Sequence, residues 1–234
     1  MEENSIIHNL ITFIAAVAFF APLVALISRK FQKHPFFSWF AFYWAFSGLV
    51  NLAFIIPLTT NKQYLTMMSD IINFVDGILV LFILYKTLTI KKVKSAAGYI
   101  FISFLALSLL AIAIGGFYET VPVIIGTGVA LSVMLLLTII ISYLGSTNKD
   151  HIGSSKQLVY YALLFEFGIS IINYLYSYIF PEKGVFKDNL LIYHISIIAS
   201  TTLASFAILL SVKKANKKKV EAIKVEKEVE IQFL

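Results

Sequence analysis

The sequence predicts an all-α membrane protein, a bundle of seven transmembrane helices with its N-terminus outside and its C-terminus in the cytoplasm. Three observations lead to this prediction. Hydrophobic residues make up 59 % of the 234 residues and charged residues only 14 %, whereas soluble domains are about 25 % charged. Seven apolar stretches are each long enough for the roughly 20 helical residues that cross a bilayer. Lysine and arginine are concentrated on one side of these stretches.

The apolar stretches are separated by segments that interrupt a hydrophobic helix. These six segments are polar, charged or rich in proline and glycine: 29–35, 57–70, 87–94, 115–116, 145–156 and 181–188. Because lipid offers no hydrogen-bonding partner to open backbone groups, each stretch is expected to be helical. The expected spans are 5–28, 36–57, 67–88, 95–115, 119–143, 157–179 and 189–212. Pro22 is expected to kink the first span.

The basic residues predict the orientation. Sixteen of the nineteen lie after the first, third, fifth and seventh spans, and the other three lie on the opposite side. Because basic residues favour the cytoplasmic side, the C-terminus is predicted to be inside and the N-terminus outside, in a bacterial cytoplasmic membrane.

Residues 1–212 then form the transmembrane domain, and residues 213–234 form a basic, then amphipathic, cytoplasmic tail. Five tail lysines are expected to contact anionic lipid headgroups: Lys213, Lys214, Lys217, Lys218 and Lys219. The basic cluster is short and adjoins a membrane helix, so no nucleic-acid partner is expected.

Polar residues within the spans are few and are the candidates for a functional site, because polar groups at bilayer depth are costly. Asp76 and His194 are hypothesised to be the titratable members of a pocket in the outer half of the bundle, built from spans two, three, six and seven. The alternative is that the polar groups only join helices through hydrogen bonds. The candidates for ligand binding or proton sensing are Asn51, Asn73, Asp76, Glu166, Asn173 and His194.

Glu166 lies slightly inward of the other candidates. In a dry bundle it is expected to be a neutral, structural carboxyl group that donates a hydrogen bond. The alternatives are a proton relay and a water-filled inner cavity. The chain has no cysteine, and three of its four histidines fall at span ends or in loops, so neither a metal site nor a set of catalytic residues is expected.

The number and orientation of the spans resemble those of microbial rhodopsins, which bind retinal through a lysine in the seventh helix. Residues 189–212 contain no lysine, so covalent retinal is excluded, and a noncovalent lipid or polyene remains open. No other cofactor is expected. The whole chain resembles uncharacterised small bacterial seven-helix membrane proteins in its hydropathy layout and in the runs YYALLFEF at 160–167 and IYHISII at 192–198. This resemblance implies the fold and no particular reaction.

These observations favour a noncatalytic membrane sensor or receptor, or a membrane-partner subunit, with membrane lipids and a cytoplasmic or membrane protein as partners. The loops and the tail would contact that protein. The alternatives are a small-solute or proton-coupled transporter that uses Asp76, Glu166 and His194, and, less favoured, an intramembrane enzyme.

Overall fold

The computed structural model describes residues 2–28, 35–55, 62–144, 151–180 and 191–211, and their side chains from residue 9 onward except 54–55, 62–66 and 151–152. The predicted lipid contacts of the tail fall on Lys213, Lys214, Lys217, Lys218 and Lys219, which lie outside the described residues.

Every element in these ranges is a helix. The elements are α1 (Glu2–Ala18), α2 (Ala21–Ser28), α3 (Pro35–Ile55), α4 (Lys62–Thr87), α5 (Lys91–Gly115), α6 (Phe117–Leu144), α7 (His151–Tyr174), which continues as a π-helical turn (Leu175–Ile179), and α8 (Leu191–Ser211). Seven of the described segments are long and apolar enough to cross a membrane: one spanning α1 and α2, and one in each of α3 to α8. This confirms the predicted seven-helix architecture of an integral membrane protein. We call the end of the bundle at which α4 begins the outer end, after the predicted orientation.

The first span is broken where the sequence predicts a kink. The helix is interrupted at Phe19 and Phe20, between α1 and α2. Pro22 has no backbone N–H to donate to the carbonyl of Ala18, four residues earlier. Just before this proline, the N–H of Phe20 bonds to the carbonyl of Val17, only three residues earlier, at 3.0 Å. This bond tightens the last turn of α1. Pro22 therefore explains an interruption that lies just before it.

Glycines allow close packing around α6, which contacts α4, α5 and α7. A Cβ on Gly77 of α4 would lie 3.9 Å from the Cα of Gly128 of α6, so these helices approach to backbone contact. Next to this crossing, the ring of Tyr174 from α7 lies directly against Gly126 of α6. The middle of α4 and the outer part of α7 are thereby held against the same helix.

Candidate functional site

A buried hydrogen bond joins α3 and α7 in the middle of the bundle. The indole Nε1 of Trp44 donates to Oε2 of Glu166 over 2.8 Å. Trp44 is fully buried and Glu166 is 5 % exposed. A buried indole N–H requires an acceptor, and a carboxyl group is a strong one. The sequence-predicted candidate Glu166 thus has a specific partner on another helix.

A second carboxyl group, that of Asp76 on α4, faces the same part of α3. The hydroxyl of Tyr43 lies 3.4 Å from Oδ2 of Asp76, and the hydroxyl of Ser47 lies 3.5 Å from Oδ1. Both hydroxyls can donate a hydrogen bond to the Asp76 carboxyl group, and both hydrogen bonds are long. Tyr43 and Ser47 are four residues apart and share one face of α3. Asp76 is partly buried on α4, so a second helix brings a carboxyl group to α3.

The carboxyl groups of Asp76 and Glu166 are part of one polar site. Asp76 and Glu166 hydrogen-bond to Tyr43 and Trp44, which are adjacent on α3 and have ring centroids 6.0 Å apart. Tyr193 of α8 lies within electrostatic range of both carboxyl groups. Four helices, α3, α4, α7 and α8, therefore contribute to one polar site. We call this site the carboxyl centre, and it consists of Tyr43, Trp44, Asp76, Glu166 and Tyr193.

The chemistry of the carboxyl centre favours the uptake of positive charge. The partners that the described residues provide to the two carboxyl groups are an indole, a phenol and a hydroxyl, and none of these is a cation. Two negative charges within one buried site would repel each other and lose their hydration. A proton or a bound cation removes this cost.

Towards the outer end, a second set of polar contacts joins α4 and α7. The hydroxyl of Tyr178 donates to Oδ1 of Asp70 over 2.9 Å, and the side chain of Asn73 also hydrogen-bonds at Tyr178. Tyr178 lies in the π-helical turn, and its ring is 5.4 Å from that of Tyr174. Asp70 and Asp76 are six residues apart on α4, about 9 Å along the helix. Polar groups thus extend from the carboxyl centre toward the outer end.

Towards the inner end, the carboxyl centre borders a series of packed aromatic rings. The ring of Phe40 lies 6.2 Å from that of Trp44 and 6.1 Å from that of Tyr160. The ring of Phe36 lies 5.4 Å from that of Tyr160, and Nζ of Lys156 lies 5.4 Å from the centre of the Phe36 ring. We call these four aromatic residues, Trp44, Phe40, Tyr160 and Phe36, the aromatic column. All four are buried, so apolar rings continue from the carboxyl centre toward the inner end.

The other sequence-predicted candidates lie on the same four helices, and no hydrogen bond or ring contact among the described residues joins them to the carboxyl group of Asp76 or Glu166. His194 is buried beside Tyr193, with a ring-centroid distance of 5.8 Å. The amide of Asn51 donates to the carbonyl of Ser47 in its own helix, at 2.8 Å. Asn73 is exposed at the outer contacts, and Asn173 is partly buried on α7. Their participation in ligand binding stays a prediction.

Sequence reasoning did not identify Trp44 and Tyr193 as site residues. Trp44 lies within an aromatic segment typical of a membrane interface, which hides its role. The sequence does contain a signal for Trp44, because a tryptophan in the middle of a span requires a hydrogen-bond acceptor if it faces inward. Glu166, in the middle of another span, is such an acceptor.

The described residues include no group of three or more His, Cys, Asp or Glu side chains that could hold a metal ion. Comparison of the chain with protein-family models, with curated proteins and with solved structures finds no match.

Proposed function

We propose that this protein is a noncatalytic heptahelical receptor or sensor of a bacterial cytoplasmic membrane, and that it responds to a positively charged ligand at the carboxyl centre. The supporting observation is that Asp76 and Glu166 interact electrostatically within the bundle and have neutral partners. The ligand is a proton or a small ammonium ion, and it arrives from the outer half.

The aromatic residues of the centre suit an ammonium ion. Tyrosine and tryptophan rings attract cations through their faces, most strongly where water is excluded. A cation between the two carboxyl groups would lie beside Tyr43 and Trp44, which hydrogen-bond to these groups, and within electrostatic range of Tyr193. A small organic cation would gain a charge partner and aromatic contacts together, whereas a neutral molecule of the same shape would gain only the contacts.

The response would travel through the aromatic column. A cation that binds Glu166 competes with the indole of Trp44 for the same carboxyl group. A shift of Trp44 requires Phe40 to repack against Tyr160, because closely packed rings do not deform gradually. Tyr160 also lies 5.9 Å from Tyr143, whose hydroxyl is 3.4 Å from that of Thr89. The inner ends of α6 and α7 and the connection between α4 and α5 would therefore pass the change to a cytoplasmic or membrane protein partner.

The absence of cysteine from the chain makes this response measurable by spin labelling. Cysteines replacing Trp39 on α3 and Ser154 on α7 place two labels at inner-end positions that are exposed. We expect the distance between the labels to change when choline is added or the pH is lowered, because both add positive charge at the centre. Glu166→Gln should abolish the change. An equal change in the Glu166→Gln variant, or no change under either condition, would contradict the proposal.

A proton-coupled or small-solute transporter is the second candidate, because adjacent carboxyl groups also suit a proton path. The observation that favours a receptor is the packing of Phe40 and Phe36 on the inner side, which continues the site with apolar rings. Reconstitution into liposomes that contain a pH-sensitive dye separates the two candidates. Proton flux that requires Asp76 and Glu166 would support the transporter and contradict the receptor.

A further inference from the structure

The inner end of α4 and the beginning of α5 form a strongly basic surface. The sequence from 77 to 118 contains four lysines and no aspartate or glutamate. All four side chains are exposed or partly exposed. They are Lys86, Lys91, Lys92 and Lys94, and we call them the α4–α5 lysines. Because this part of the chain has no acidic residue, no carboxylate within it offsets their charge.

Two of these lysines are held around one aromatic ring. Nζ of Lys86 lies 5.6 Å from the centre of the Tyr85 ring and 5.5 Å from that of Phe82. Nζ of Lys94 lies 5.8 Å from the centre of the same Tyr85 ring. The Tyr85 ring packs closely against Gly98, since a Cβ at Gly98 would lie only 3.0 Å from Cε2 of Tyr85. Cation–π contacts therefore bring together two ammonium groups from different helices before any ligand binds.

An apolar face of α5 begins beside the lysines and runs toward the other end of the bundle. Tyr99, Ile102 and Leu109 follow Lys92 at helical spacing, and they are 73 %, 64 % and 57 % exposed. In a helix that spans the membrane, such a face borders lipid acyl chains. The surface thus combines a basic end with an apolar stripe, as a phospholipid combines a phosphate with acyl chains.

We propose that an anionic phospholipid occupies this surface, with its phosphate among the α4–α5 lysines and an acyl chain along Tyr99 and Ile102. Charge complementarity selects the lipid, because a zwitterionic headgroup adds an ammonium group that the lysines repel. The proposal is independent of the carboxyl centre, which lies deeper in the bundle.

Native mass spectrometry of the full chain tests this site. The protein is incubated in mild detergent with equal amounts of phosphatidylglycerol and phosphatidylcholine that carry the same acyl chains. We expect one phosphatidylglycerol to be retained preferentially. Replacing all four α4–α5 lysines by glutamine should lower its retention by roughly tenfold or more, because each lysine near an anionic headgroup contributes to binding.

The matched control replaces Lys62, Lys183, Lys187 and Lys227 by glutamine, which changes the net charge equally and keeps the five tail lysines that are expected to contact headgroups. The preference for phosphatidylglycerol should persist in this control. An equal loss of the preference in the control variant, or no preference in the unmodified protein, would overturn the proposal. Displacement of the lipid by inorganic phosphate would also overturn it, since free phosphate would then be the ligand.

Tyr85 provides a second test, which leaves every charge in place. Tyr85→Phe keeps the aromatic ring and should retain the lipid preference. Tyr85→Leu removes the ring that holds Lys86 and Lys94 together, and should weaken the preference. Equal retention in the two variants would show that the ring does not organise the site, and would contradict the proposed arrangement.

Discussion

Trp44 and Glu166, which are 122 residues apart in the sequence, are joined by a 2.8 Å hydrogen bond within the bundle. The indole can donate and cannot accept, so it fixes one oxygen of the carboxyl group as an acceptor. Glu166 therefore links α3 and α7 within the bundle. In the proposed response, a cation at Glu166 would weaken this link by competing with the indole.

Removing the indole donor should destabilise the protein. In Trp44→Phe the Glu166 oxygen loses its partner while buried, and the smaller ring leaves a gap, so we expect a loss of about 1–3 kcal/mol in the free energy of unfolding. Denaturant titration in detergent measures the loss. A double-mutant cycle with Glu166→Leu isolates the hydrogen bond, and a coupling energy near zero would show that the pair does not interact.

Close packing of the break between α1 and α2 against α3 should make Gly48 sensitive to a small addition. A Cβ at Gly48 would lie 2.7 Å from Cβ of Phe19, an atom fixed close to the backbone of that break. We expect Gly48→Ala to cost about 1–3 kcal/mol of stability. Gly168→Ala is the matched control, because a Cβ there meets nothing within 4 Å. Equal melting temperatures for the two variants would contradict this packing.

The outer contact of α4 with α7 should contribute modestly to stability. Tyr178→Phe removes the hydroxyl that donates to Asp70 at 2.9 Å, and interhelical hydrogen bonds in membranes contribute about 0.6 kcal/mol on average. We expect a small drop in melting temperature. Tyr99→Phe, at a position that is 73 % exposed, should cause none. A larger effect for Tyr99→Phe than for Tyr178→Phe would argue against the contact.

The orientation can be tested because the natural chain has no cysteine. A membrane-impermeant maleimide should label Thr60→Cys, in the loop after the second span, on intact cells. Ala215→Cys, in the tail, should be labelled only after the cells are permeabilised. Labelling in the reverse order would invert the predicted orientation and place the Asp70–Tyr178 contact at the cytoplasmic end of the bundle.

The architecture could be predicted from sequence because hydropathy depends on composition along one helix. All seven predicted spans coincide with described helices to within a few residues. The break near Pro22 was predictable for the same reason, since the missing N–H is a local property. Asp76 and Glu166 could be nominated because a carboxyl group at bilayer depth is rare whatever surrounds it.

The partners of these carboxyl groups could not be predicted, because they depend on the rotation and packing of helices. Phe42 and Trp44 are both aromatic and only two residues apart, yet Phe42 is 54 % exposed and Trp44 is fully buried. Asn51 illustrates the opposite difficulty. Its amide bonds to the carbonyl of Ser47 in its own helix, a local contact that a sequence pattern does not distinguish from a place in a pocket.

The most direct test of the central claim is a fluorescence titration of Trp44. The chain has two tryptophans, so Trp39→Phe leaves Trp44 as the only one, in hydrogen-bond contact with Glu166. We expect choline to change its emission saturably, and its neutral isostere 3,3-dimethylbutan-1-ol to have no effect. Asp76→Asn should weaken the choline response. Equal responses to both compounds, or no response to choline or to acid, would contradict the claim that the carboxyl centre takes up positive charge.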